Sequence, residues 1–591
     1  MRIRRSRPIV TVTACACTLM LYACSSKQQA KDVIGIKPAP PASEPVPDSA
    51  RVDKLKDAGA ERPADTRAVA LKKGDAPAAP KRPVRKEEKA KRRRSPHPAA
   101  MAASPHGYVG GARKVMAYRE ETRSSEQYDQ ITENGFLATV GNPLSTFSID
   151  VDTASYSNVR RFIRSGRKPY PDAVRIEELV NYFTYDYPNP KDDVPFSVTT
   201  ELSSCPWNHK NQLLHVGLQA KRVSFEKLPP NNLVFLLDVS GSMNRANKLP
   251  LLVSAFKLLV GEMREQDRAA IVVYAGAAGL VLPPTSGAEK GKIIEALDKL
   301  RAGGSTAGGA GIKLAYKIAK ENFDPEGNNR VILATDGDFN VGVSSDGALV
   351  RMIEEKRNDG IFLTVLGLGT GNYKGSKMEK LADKGNGNYA YLDSLTEARK
   401  VLVTEMGGTL LTIAKDVKVQ IEFNPAKVNK YRLVGYENRM LKKEDFDDDK
   451  KDAGELGSGH TVTALYEIVP ETGKPSAAAL RYQETRPKAS AMGSEELAYV
   501  KLRYKKPEGE KSILVSRPVS DTCVKLAKSS NNFQFSAAVA TWGMLLRDSK
   551  HKGSASYEQV IEMADAGKGH DEFGYRAEFL ELVKLSARIN K

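Results

Sequence analysis

The chain has 591 residues, too many for one ordinary domain, and its 41% apolar content is enough to build sizeable cores. Its net charge of +18 invites a nucleic-acid reading, but residues 1–120 carry 26 Lys and Arg against 11 Asp and Glu, whereas the remaining 471 carry 64 against 61. The folded body is therefore close to neutral, and the pI argument for a nucleic-acid-binding domain fails.

The first 24 residues read as a targeting signal. Arg2, Arg4, Arg5 and Arg7 form a positive start, and residues 9–23 are apolar or small. That stretch is shorter than the roughly 20 apolar residues a bilayer span needs. It ends Leu21-Tyr22-Ala23-Cys24, which resembles a bacterial lipobox. The resemblance implies a signal peptide at 1–23 and a lipid on the thiol of Cys24; a plain secretory signal or an uncleaved anchor is the alternative. Ser25, not Asp, follows the cysteine, and by analogy with enterobacterial sorting this implies the outer membrane. Residues 24–130 are rich in Pro, Ala, Lys, Asp and Ser and lack apolar periodicity, as expected of a disordered basic tether. Within it, Lys81–Arg94 holds nine basic and two acidic residues. Such a run either contacts an anionic envelope surface or is a self-repelling spacer. Beyond the signal and anchor only Cys205 and Cys523 remain, candidates for a disulfide in an oxidising compartment, with the pairing left open.

A first flanking module (135–230) follows, with a strand at 142–152, helices at 155–165 and 173–185, and strands at 196–202 and 213–218. Asp150 and Asp152 fit a strand-to-helix turn with a capping carboxylate better than acid–base chemistry. From 231 to 407 the pattern alternates. Short apolar strands at 233–237, 269–274, 280–282, 331–335, 361–367 and 389–392 are separated by amphipathic helices at 248–263, 290–300, 310–321, 348–356 and 377–384. This predicts an α/β fold with a doubly wound, mostly parallel, Rossmann-like sheet covered on both faces. A last module (410–591) is β-rich, with strands at 417–423, 460–469 and 497–504, and then helical at 532–546, 556–564 and 575–588. Strands on both sides of the α/β block are expected to join in one β-rich body, which would make Cys205 and Cys523 candidates to meet.

Ligands of a doubly wound sheet sit at the carboxyl ends of its strands. There the first strand runs into Asp238-Val239-Ser240-Gly241-Ser242, a loop carries Gly304-Ser305-Thr306, and the fourth strand runs into Thr335-Asp336-Gly337-Asp338. Asp-x-Ser-x-Ser, a distant Thr and then Thr-Asp-Gly resemble the metal-ion-dependent adhesion site of von Willebrand factor type A (VWA) domains. The resemblance implies that Ser240, Ser242 and Thr306 supply hydroxyl oxygens and Asp238 and Asp336 carboxylates. This hard oxygen shell suits Mg²⁺, with Mn²⁺ or Ca²⁺ as alternatives. The family's mode of binding implies a protein partner whose acidic residue completes the shell. Asp338 is left as a turn residue or an outer-shell partner.

Competing motifs fail on spacing. Residues 287–292 lack Walker A spacing, Gly367-Leu368-Gly369-Thr370-Gly371 is half a dinucleotide fingerprint at best, and neither a His-Glu-x-x-His nor a Gly-x-Ser-x-Gly occurs. Segments 143–158, 174–188, 204–208, 424–438 and 459–466 resemble bacterial VWA lipoproteins, sometimes labelled calcium-activated chloride channel homologues. The expected function is an envelope-anchored, metal-dependent adhesion or scaffold module that is not an enzyme. The alternatives are a metal-dependent hydrolase and a structural protein bound to the cell wall.

Overall fold

The computed structural model describes residues 126–149, 152–191, 194–304, 308–337, 339, 346–370, 374–405, 408, 411–473, 487–507 and 509–590. The signal, Cys24, Lys81–Arg94, Asp150, Thr306 and Asp338 lie outside the described residues.

Four strands precede the α/β block: β1 (Leu137–Ala138), β2 (Leu144–Ser148), β3 (Phe196–Ser204) and β4 (Gln212–Ala220). Helices α1 (Ala154–Arg164) and α2 (Ile176–Asn181) lie between β2 and β3. The helix expected over 173–185 is shorter than its pattern suggests. A 3₁₀ turn at Pro171–Ala173 comes first, and the aromatic run after Asn181 leaves the helix. Tyr182 stacks on Tyr156 with ring centres 3.8 Å apart, and Phe183 meets Phe535 edge-on at 4.9 Å. These tertiary contacts anchor each ring separately and override a weak local helix preference.

The block itself contains β5 (Asn231–Asp238), β6 (Arg268–Tyr274), β7 (Ala278–Ser286), β8 (Asn328–Thr335), β9 (Ile361–Leu368) and β10 (Tyr389–Leu392). Their order is β10-β9-β8-β5-β6-β7, parallel except for β7. The alternation of side chains along β5 splits the core in two. Leu233, Phe235 and Leu237 face α3 (Leu249–Glu262) and α4 (Lys290–Asp298), where Leu252, Phe256, Leu259 and Ile293 are buried. Val234 and Leu236 face α5 (Gly308–Glu321), α6 (Asp346–Asn358) and α7 (Gly375–Lys384). Each such side chain contributes about 1.5–3 kcal/mol on burial, so five in succession drive β5 to the middle of the sheet. At Gly311 a Cβ would come within 2.8 Å of Tyr274 Cβ, so glycine lets α5 lie directly on β6.

After the block come β11 (Thr412–Phe423), β12 (Val428–Val434), β13 (Met440–Leu441), β14 (Gly454–Gly457), β15 (Thr461–Pro470), β16 (Glu496–Lys505), β17 (Ile513–Ser520) and β18 (Cys523–Val524). They do not form a sheet of their own. One sheet runs β1-β12-β15-β4-β3-β18 and the other β13-β2-β11-β16-β17, with β14 on β11. Strands from both sides of the α/β block therefore share both sheets, as in Phe147 opposite Val419 and Val216 opposite Ala464. Phe147, Val198, Leu214, Ile421, Tyr466 and Val500 fill the space between them. Helices Asn531–Arg547, Tyr557–Ala566 and Tyr575–Ile589 belong to a further core, in which Trp542 and Phe579 pack with Leu213 and Leu465.

The pairing left open for Cys205 and Cys523 is not made: both thiols are free. Cys523 sits opposite Leu202, three residues before Cys205 along β3. At about 3.3 Å per residue that offset alone is about 10 Å, beyond the reach of a disulfide. Cys205 is buried with Trp207 beneath the helices, while Cys523 is exposed.

Candidate metal centre

β5 ends on Asp238 and β8 on Thr335, and the two strands are hydrogen-bonded neighbours. The chain turns sharply after each, because no further strand pairing is available at the sheet's carboxyl edge. Ser240 N–H donates to Asp238 Oδ1 at 2.8 Å, folding the Asp-x-Ser turn over its own carboxylate. Tyr274 of β6 donates its hydroxyl to Asp238 Oδ2 at 3.3 Å. Ser240 and Ser242 point the same way, with their Oγ atoms 3.0 Å apart. The glycine loop is docked alongside: Gly303 N–H donates to Val239 O at 2.7 Å and Gly241 N–H to Gly304 O at 3.0 Å. Thr306 follows two residues later, outside the described residues.

Asp238, Ser240, Thr335 and Asp336 are buried, whereas Ser242 is exposed. The site therefore has one solvent-facing rim and a closed floor. Burial raises the Asp238 carboxyl above its usual value, offset by the hydrogen bonds from Ser240 and reinforced by the charge of Asp336. Burial and the Asp238 charge push the Tyr274 phenol well up, so it acts as a hydrogen-bond donor. Asp338 lies outside the described residues.

The element missed in the sequence is Lys248. Its Nζ donates to Asp336 Oδ2 at 2.7 Å, and both side chains are almost fully buried. Lys248 immediately precedes α3, where the helix dipole disfavours a cation. That mismatch was the one available signal that it serves something other than the helix. Two carboxylates and one ammonium leave the site with a formal charge of about −1, not −2. Among the described residues no group of three or more His, Cys, Asp or Glu side chains converges on one point; the serine hydroxyls stand beside the two carboxylates as the further oxygen donors. Of the other singled-out acids, Asp152 binds the Tyr389 N–H at 2.8 Å and Arg439 at 3.4 Å. It thus ties α1 to β10 and lies outside the candidate site.

The chain is similar to known proteins along most of its length. The description "von Willebrand factor type A domain" matches residues 233–338, "von Willebrand factor" matches 122–215, and "Uncharacterized protein YfbK, C-terminal" matches 408–589. Uncharacterized protein YfbK of Escherichia coli (strain K12) is 46% identical over 483 residues, covering 80% of this chain and 83% of that one. Uncharacterized protein sll0103 of Synechocystis is 26% identical over 186 residues, covering 31% of this chain and 43% of that one. Among solved structures, von Willebrand factor type A from Catenulispora acidiphila is 17% identical with a TM-score of 0.38, covering 65% of this chain and 89% of that one. The VWA-like α/β fold with flanking modules and the extent of the YfbK likeness agree: the chain belongs to a bacterial family of VWA-domain proteins that includes YfbK.

Proposed function

We propose that this protein is a metal-dependent protein-binding module of the bacterial cell envelope. The observation that carries the reading is the convergence of Asp238, Ser240 and Ser242 beside Asp336 at the carboxyl edge of the sheet. The donor set fits a small hard cation. Adjacent oxygens of an octahedral Mg²⁺ shell, each about 2.0–2.1 Å from the ion, lie about 2.9 Å apart. The 3.0 Å between the two serine hydroxyls is compatible with both oxygens joining one cation's shell. Asp238, Ser240, Ser242 and Asp336 would hold the ion, with Thr306 supplying the third hydroxyl implied by the family resemblance.

A divalent ion there would supply an electrophilic position open to a carboxylate. The chain's own groups prepare for it. Ser240 N–H and Tyr274 fix the two oxygens of Asp238. Lys248 holds Asp336 and removes one unit of negative charge. The loaded site would then carry a formal charge of about +1, which favours an acidic residue of a partner protein and requires no reaction by this chain. Anchoring by lipid on Cys24, with residues 24–130 as a tether from the outer membrane, completes the proposal and rests on the sequence alone.

Calorimetric titration of Mg²⁺, Mn²⁺ and Ca²⁺ into the chelator-treated full chain, beside Asp238→Ala, tests the site. Saturable one-site binding that the variant loses is expected. Equal binding by both proteins, or none at millimolar metal, would leave these residues as helix and turn caps. Labelled palmitate that enters the wild type in cells but not Cys24→Ala is expected for the anchor; equal labelling refutes it.

A further inference from the structure

A second cavity lies away from the metal centre, toward the amino-terminal ends of the block's strands. It has a volume of about 360 Å³ and is lined from the α/β side by Arg330, Asn386 and Asn388, and from the β body by Arg439, Met440 and Glu455. Arg330 on β8 is 2% exposed, yet its guanidinium makes a single hydrogen bond, from Nη1 to Thr364 Oγ1 at 2.8 Å. Its Nε is buried with no partner, and among the described residues no carboxylate lies within ion-pair distance of it. The Phe362 ring lies 5.5 Å from the guanidinium carbon. Glu455 shares the cavity but accepts a hydrogen bond from Asn386 Nδ2 at 2.9 Å instead. Burial lowers Arg330 to about 10 and pushes Glu455 up to about 7, each shift partly opposed by the charge of the other group.

A buried guanidinium with its Nε unpartnered and no carboxylate in ion-pair distance is costly, and a well-packed apolar residue would be the more stable choice at this position. The cost is offset if the cavity holds an anion, and the planar fork of arginine is matched to two oxygens of a carboxylate or phosphate. We propose that this cavity is a binding site for a small oxyanion, a carboxylate or phosphate group, held by Arg330 at the seam between the VWA domain and the β body. The occupant would touch both modules and fasten one to the other. The inference is independent of the metal centre.

The test is thermal melting of the full chain in inorganic phosphate, acetate or chloride at equal ionic strength, for the wild type, Arg330→Met and Arg330→Lys. At a hundredfold excess over Kd the wild type should melt about 5–11 °C higher than in chloride, the shift for a domain the size of the α/β block. Arg330→Met should melt no lower than the wild type in chloride and should show no anion-dependent rise; Arg330→Lys should show a reduced one. Whether phosphate or acetate gives the larger rise identifies the ligand group. No rise in the wild type, or an undiminished rise in Arg330→Met, overturns the proposal. Should Arg330→Met fail to fold, an undiminished rise in Arg330→Lys overturns it equally.

Discussion

Replacing Lys248 by Met keeps most of the side chain's volume and removes the ammonium that pairs with Asp336. Both side chains are at most 3% exposed, so the change leaves a buried carboxylate without its cation. Breaking such a pair costs about 3–5 kcal/mol. In a domain of the size of the α/β block, that lowers the melting temperature by about 6–20 °C. A divalent ion is expected to reverse the loss, because it supplies the missing positive charge. At a hundredfold excess over Kd, mass action returns about 2.7 kcal/mol, or about 5–11 °C. The variant should also bind the ion more tightly than the wild type. A divalent and a monovalent cation about 5 Å apart repel by about 1.7 kcal/mol even at the dielectric constant of water, worth a tenfold or larger gain in affinity. Melting curves with chelator, with MgCl₂ and with choline chloride at matched ionic strength, together with calorimetric titration, measure both effects. Equal melting of variant and wild type in chelator would refute the structural role of the pair. Weaker Mg²⁺ binding by Lys248→Met would show that Lys248 supports the ion and does not compete with it.

His215 on β4 is 1% exposed and hydrogen-bonded through Nε2 to the Tyr187 hydroxyl at 2.9 Å, and burial lowers its imidazole from 6.5 to about 4. A depressed histidine favours the neutral form in the fold. Its stabilising contribution is complete above pH 6.5 and is lost as pH falls toward 4, about 3 kcal/mol in all. Urea midpoints of the wild type should therefore fall across that window and those of His215→Gln should fall less; parallel curves would refute the assignment. The thiols give a simpler readout. Cys523 is exposed, whereas Cys205 is fully buried and burial pushes its thiol well up. Under native conditions a maleimide should modify Cys523 within minutes and Cys205 only after unfolding, as followed by mass spectrometry; protection of both would point to a bridge or to a covered Cys523.

Much of the α/β block is legible in the chain itself. Apolar runs such as Leu233–Leu237 and the spacing Leu252, Phe256, Leu259 follow periods of two and of 3.6 residues, and each period is set by local backbone geometry. The order of Asp238, Ser240, Ser242 and Asp336 was legible for the same reason: all lie at or within four residues of the end of an apolar strand, and strand ends collect at one edge of a parallel sheet. The flanks were harder to read. β12 and β17 were absent from the sequence reading, because Val428–Val434 mixes charged and apolar residues and Ile513–Ser520 is mostly exposed. Their strand character comes from pairing with β15 and β16.

By itself, then, the sequence determined the alternation of strands and helices, the near-neutral body and the candidate positions at the strand ends, since composition and short-range periodicity need no knowledge of distant neighbours. The tertiary structure alone decided three things: that Lys248 stands on Asp336, 88 residues away; that Cys205 and Cys523 lie apart; and that Arg330 is buried with its Nε unpartnered. Each depends on which side chains the folded chain brings within a few ångströms of one another, and at such sequence separations that is fixed by sheet order and register, which no local pattern encodes.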